Sequence, residues 1–130
     1  MTQTGHVSTI GRWWPVIAWT AVIFAASSVP GARLDDAGLD IPDKLVHGLE
    51  YSVLGYLAFR ARPGSGTKAF VVAVLIGIGV GALDENYQRI IPLRDSSAAD
   101  WLADGLGAAV GAGVSAGKRF VDQRGRRRNA

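Results

Sequence analysis

Residues 69–83 read AFVVAVLIGIGVGAL, fifteen positions without a charge, and residues 84–89 continue as DENYQR. A helix on the surface of a water-soluble bundle carries a polar face beside its apolar one. This segment shows no such face until Asp84, where polar side chains arrive together. Three further apolar runs surround it. Residues 13–29 hold seventeen positions with no charge, residues 45–59 are interrupted by His47 and Glu50, and residues 101–117 carry only Asp104. Each lies at or below the short end of the roughly 17–25 residues of a bilayer span. Four of them, joined by short polar connectors, leave almost no chain for a soluble surface. The reading is all-α: a four-helix transmembrane bundle with helices near 13–29, 43–61, 69–90 and 100–117. Residues 1–117 form a single membrane domain, and residues 118–130 a basic tail. Ala25-Ala26-Ser27 also resembles a signal-cleavage region, but the run is long for that role. Trp13 and Trp14 at its start suit an interfacial anchor.

The composition agrees. In 130 residues, 48% are hydrophobic and 19% charged, so disorder is excluded for most of the chain. There is no cysteine, which removes disulfides, thiolate metal sites and cysteine nucleophiles. The net charge of +3 comes largely from the tail. Its position beside a terminal helix points to anionic lipid and not to nucleic acid.

Orientation follows from the basic residues. Arg12, Arg60, Arg62, Lys68 and the six of the tail make ten on one side, against Arg33, Lys44, Arg89 and Arg94 on the other. Lys- and Arg-rich short loops stay in the cytoplasm. Both termini are therefore expected inside, with residues 30–44 and 89–100 outside.

Glycines punctuate the last two helices. Gly77 with Gly81, and Gly107 with Gly111, are small residues four apart, a spacing that lets membrane helices approach closely. Pro92 is expected to stop the third helix, and residues 63–66 read as a turn.

Ionisable residues within membrane helices are costly, by about 2.5–3.5 kcal/mol each on insertion scales, so each needs a reason. Asp43, His47 and Glu50 occupy one helical face, and Lys44, His47 and Tyr51 an adjacent stripe. Asp84 with Gln88 and Glu85 with Arg89 are pairs four apart. Asp100 and Asp104 share a face with Gly107 and Gly111. In the deduced topology all these groups fall in the outer half of the bundle. Asp43, Glu50, Asp84, Glu85, Asp95, Asp100 and Asp104 outnumber Lys44, Arg89 and Arg94 by four charges. The excess requires protonation, hydration at the rim or a bound cation. His47 with acids resembles a metal-ligand set, though a second histidine at metalloprotease spacing is missing. Acid–base chemistry is equally open to it. Ser96 or Ser97 is placed to cap the fourth helix.

In order and spacing these residues resemble the VanZ-like family. The resemblance runs from about Trp19 to Gly111. It comprises Ser27-Ser28 and Pro30, then Asp43-Lys44, His47, Glu50-Tyr51 and Leu54-Gly55, then Asp84-Glu85, Gln88, Pro92 and Arg94, and last Asp100, Asp104, Gly107 and Gly111. The chain departs at Tyr87, where many relatives have histidine, and has acid at Asp104, where others have asparagine. The resemblance implies a small multi-pass bacterial membrane protein of the cell envelope. The family is named for a factor linked to resistance to teicoplanin, a glycopeptide antibiotic.

The expected function is an outward-facing polar pocket that binds or modifies an envelope molecule, such as a lipid-linked precursor. Asp43, His47, Glu50, Glu85 and Asp100 are the candidates for acid–base or cation-binding work. Lys44, Tyr51, Asp84, Gln88, Arg94 and Asp104 are the candidates for holding substrate, with Arg94 orienting an anionic group. The competing class is a non-catalytic assembly module whose buried charges fix helix pairing. Transport is a third, set against the absence of acids continuing inward.

Overall fold

The computed structural model describes residues 9–30, 42–64 and 66–128. Arg33 of the orientation count and the greater part of the 30–44 connector lie outside them. The described chain is four helices: α1 Thr9–Ser27, α2 Asp43–Ala61, α3 Thr67–Gln88 and α4 Ala98–Arg128. No strand occurs among the described residues.

The helix ends follow local chemistry. Asp43 opens α2, where a carboxylate complements the positive end of the helix dipole. Arg62 ends α2 in an extended conformation (ψ 128°), as expected of a residue whose successor, Pro63, excludes the α region. Gly66, at φ 112°, turns the chain into α3. At the start of α4, the hydroxyl of Ser97 accepts the Asp100 backbone N–H at 3.1 Å. The cap expected at Ser96 or Ser97 thus falls to Ser97. In the connector before it, Leu93 takes a left-handed φ of 58°, uncommon for a branched apolar residue.

The helices pack antiparallel in sequence. The most extensive contact is α2 with α4, then α3 with α4; α1 leans on α2 and, less, on α3. The α2–α4 crossing is backbone on backbone. A Cβ at Gly107 would run into the Gly48 carbonyl, one at Gly111 into that of Ser52, and one at Gly55 into that of Ala108. On α3, Gly77 makes room for the Ala108 side chain. Both glycine pairs read from the sequence therefore sit at α4 crossings.

Helix α1 starts four residues earlier than the sequence reading, at Thr9, and α3 lies two residues earlier, but the largest difference is at the C-terminal end. Residues 118–128 are not a separate tail but the last turns of α4, which runs unbroken for 31 residues. Hydropathy changes at Lys118, yet nothing in Lys118–Arg128 except Gly125 disfavours a helix. Arg119 anchors the extension, bonding the carbonyls of Gly64 and Phe59, with its guanidinium 4.7 Å above the Phe59 ring.

Among the described residues, one helix, Thr67–Gln88, is long and apolar enough by length and composition to cross a membrane. Helix α1 carries Arg12 and Pro15, α2 has four charged residues, and α4 is diluted by glycine and acids. A transmembrane bundle of all four is therefore not given by hydropathy.

Candidate functional site

The end of α1, the start of α2, the end of α3 and the start of α4 meet at one end of the bundle, and there the polar residues turn inward. His47, Asp84, Glu85, Gln88, Asp100 and Asp104 are all buried. Asp84 and Asp104 have no exposed surface at all.

Two connected sets of hydrogen bonds make up the cluster. In the first, Nδ1 of His47 lies 2.8 Å from Oδ1 of Asp104, joining α2 to α4. The same nitrogen is 3.9 Å from Oε1 of Glu85 on α3. Ser97 then binds two acids at once: its backbone N–H donates to Oε2 of Glu85 at 2.8 Å, and its hydroxyl lies 2.7 Å from Oδ2 of Asp100. Lys44 approaches Oδ1 of Asp100 at 3.7 Å, with most of its own side chain in solvent. In the second set, Gln88 donates to Oδ2 of Asp84 at 3.1 Å and to the hydroxyl of Ser27 at 3.2 Å. Tyr51 donates to the same Asp84 oxygen at the long distance of 3.5 Å. The Tyr51 and His47 rings, one turn apart on α2, lie nearly parallel at 6.4 Å.

The balance of charge is lopsided. Four buried carboxyl groups surround one buried imidazole. Among the described residues, one oxygen of each, Asp84 Oδ1, Glu85 Oε1, Asp100 Oδ1 and Asp104 Oδ2, is buried without a hydrogen-bond partner. Unsatisfied buried acceptors are costly, so four in one cluster require an explanation. One ligand atom from each of His47, Glu85 and Asp100 lies within 4.8 Å of the others, a spacing that could hold a metal ion.

Not every sequence candidate joins this cluster. Asp43 stands exposed at the first turn of α2, and Glu50 is half-buried. The backbone carbonyl of Glu50, not its carboxyl, receives the Trp19 indole at 2.8 Å, tying α1 to α2. Of the two stripes read on α2, the inward one carries His47 and Tyr51. Arg94, expected to orient an anion, donates instead to the carbonyls of Ala26 and Val29, at 3.1 and 3.2 Å. There it gives a donor to Val29, just past the end of α1, and a second one to Ala26, which already accepts the Val29 N–H. Glu85 and Arg89 do not pair. Glu85 turns inward, while Arg89 stays exposed and donates to Ser96 at 3.2 Å.

A cleft of about 270 Å³ opens beside the cluster between α3 and α4, lined by Glu85, Asn86, Arg89, Ser96, Ser97 and Trp101 among others. Asn86, Arg89 and Trp101 were not singled out as site residues. They lie on outward faces whose significance depends on how α3 meets the 89–97 connector. The double role of Ser97 was equally invisible, because it rests on contacts with two helices.

No family model matches the chain, and no curated protein or solved structure matches it either.

Proposed function

We propose that the chain is a VanZ-like integral membrane protein whose four helices all cross the bilayer, and whose polar end binds or modifies a cell-envelope molecule. The observation that carries the reading is buried charge beneath an apolar surface. Charged and amide side chains are buried at one end of the bundle, an apolar core of residues such as Leu54, Ala58, Phe59 and Ala73 fills the rest, and each helix turns large apolar residues outward. On α4 the exposed stripe is Leu102, Leu106, Val110 and Val114; on α2 it is Leu45, Leu49 and Val53; on α3 it includes Val71, Leu75 and Leu83. These are i, i+4 rows, one continuous face per helix. Water would penalise such a surface, whereas acyl chains accept it. Even in α3, the helix long and apolar enough to cross a membrane, only 28% of the apolar stretch is buried, unlike the core helix of a soluble protein.

Length supports the same reading. Nineteen residues in α1 and α2, and 22 in α3, span about 28 and 33 Å at the usual rise, close to the ~30 Å hydrocarbon thickness. The basic residues Arg60, Arg62, Lys68 and Lys118 gather at the end opposite the acids, which favours a cytoplasmic position for that end. The buried acids then face outward in a bacterial inner membrane, where cell-wall precursors are processed. Lipid-linked precursors are the ligand class we favour, the alternative being a helix-pairing role for the acids. That alternative draws on the second set of bonds, since Tyr51, Asp84, Gln88 and Ser27 bind three helices together.

Two experiments test the proposal. Single cysteines at Asp95 and Thr67, in a chain with none of its own, are labelled in intact cells with an impermeant reagent. Labelling at Asp95 alone is expected, and labelling at Thr67 alone would invert the orientation. Binding of a lipid-linked precursor to the protein in nanodiscs is then compared for wild type, His47→Ala and Glu85→Gln. Loss in both inserted variants supports the site; full binding in both rejects it and leaves the assembly role.

A further inference from the structure

We infer that the buried cluster is a site for one divalent transition-metal ion, held by His47, Glu85 and Asp100, with Asp104 positioning the imidazole. The three ligand residues are each buried and come from three different helices, with one ligand atom apiece within 4.8 Å of the others. Metal–ligand distances of about 2.0–2.2 Å require a closure of about 1 Å, within reach of small side-chain rotations.

The hydrogen bonds of the two acids point the same way. Ser97 holds Oε2 of Glu85 and Oδ2 of Asp100. The other oxygen of each, Oε1 and Oδ1, is buried and without a hydrogen-bond partner. Each carboxylate is thus fixed by one oxygen and offers the second. The nearest nitrogens, the His47 ring at 3.9 Å and the Lys44 ammonium at 3.7 Å, are too distant to hydrogen-bond those oxygens. A dication placed among them offsets charge that a buried environment otherwise penalises heavily. Asp104, bonded to His47 at 2.8 Å, supplies the carboxylate–imidazole pairing that orients metal-binding histidines. Asp84, held at Oδ2 by Gln88 and Tyr51, is not among the side chains whose ligand atoms come within 4.8 Å of one another.

A mixed imidazole and carboxylate set suits Zn²⁺ or Mn²⁺ better than Mg²⁺ or Ca²⁺, which prefer oxygen alone. Three protein ligands leave coordination positions open, as in catalytic sites. The cleft beside Glu85 gives those positions a route to a ligand. The inference deepens the envelope-site reading and rests on it only for what the ion would act upon.

The test uses the full chain purified in detergent. Its metal content is measured, and chelator-stripped protein is titrated with ZnSO₄, MnCl₂ and MgCl₂ by calorimetry. One Zn²⁺ or Mn²⁺ per chain is expected, with Mg²⁺ far weaker. His47→Ala should weaken binding by at least about 100-fold and Asp104→Asn by about 10–100-fold. Asp122→Asn, on the exposed far end of α4, should leave it unchanged. If His47→Ala fails to fold, the isosteric Asp104→Asn carries the test. Absence of saturable one-to-one binding to wild type, equal affinity for Mg²⁺, undiminished binding in Asp104→Asn, or equal loss in Asp122→Asn would overturn the inference. No readout involves an envelope molecule, so failure here and failure of the envelope reading are separate results.

Discussion

Replacing Gly107 by alanine tests the backbone contact that sets the depth and spacing of the site. A Cβ there would lie 3.0 Å from both C and Cα of Gly48, and closer still to its carbonyl oxygen. Carbon pairs relax at about 3.5–4.0 Å, so α2 and α4 must part by roughly 0.5–1 Å at this crossing. No side-chain end can rotate away, because the obstacle is main chain. Overpacking of this kind costs about 1–3 kcal/mol. Gly113, on the same helix, has nothing within 4 Å of its ideal Cβ. Alanine there adds no clash and gains up to about 1 kcal/mol of helix propensity. The two substitutions, chemically identical, should therefore move stability in opposite directions, with a gap of about 1–4 kcal/mol. Thermal unfolding of both variants in one detergent, followed by circular dichroism, reads the gap. Asp104 lies one turn before Gly107, so the same separation should lengthen its 2.8 Å contact with His47. A shift of the imidazole NMR signals in Gly107→Ala, absent from Gly113→Ala, is the local sign. Equal stability of the two variants would refute the close-packed seam.

Arg94→Ala should remove the Arg94 donor from the Val29 carbonyl and leave the Ala26 carbonyl with the Val29 N–H alone, destabilising the end of α1 by about 1–3 kcal/mol and speeding hydrogen exchange there. Arg94→Lys should not restore it, because one ammonium does not reproduce the fork that reaches both carbonyls. Ser97→Ala should remove the α4 cap at a cost of about 0.5–2 kcal/mol, measured by thermal unfolding, while Ser97→Thr keeps most of it.

How the polar groups converge was legible because it depends on topology, and topology depends on where charge interrupts hydropathy. Once α2 and α4 start, and α3 ends, at the same level, His47, Glu85, Asp100 and Asp104 must share that level. The glycine seam was legible for a related reason, since residues four apart on a helix always share a face. Which of two overlapping stripes on α2 turns inward was not. Asp43 and Lys44 differ by one position, and the choice is made by how Gly48 and Gly55 settle against α4. The bonds of Arg94 to α1 were not legible, because a cation near acids suggests an anion partner, whereas the nearby helix end offers carbonyl acceptors. The length of α4 was underestimated because a change of hydropathy was read as a helix end. A helix stops where backbone bonding fails, and from Lys118 to Arg128 it does not fail. Apolar character in α1, α2 and α4 is masked in the sequence by Arg12, by interior acids and by glycine, and becomes visible only as exposed rows of side chains.

The packing and the site are one construction, and Gly81 is where they join. A Cβ at that position would stand 2.7 Å from Oδ2 and 3.0 Å from Cβ of Asp104. The fully buried carboxylate therefore occupies room that α3 gives up by having no side chain there. The same row of small residues that brings α3 against α4 at Gly77 opens, one turn later, into space for an acid. In the proposed membrane setting lipid would offer no hydrophobic gain for pressing helices together, so close approach would be won through dispersion contacts and interhelical hydrogen bonds. Here the glycines supply the first and create the geometry for the second. A buried ionised group in such a bundle is tolerated only if its partners are already in position. The seam fixes those positions, which is why the acids lie at the crossing of α2, α3 and α4 and not along their outward rows.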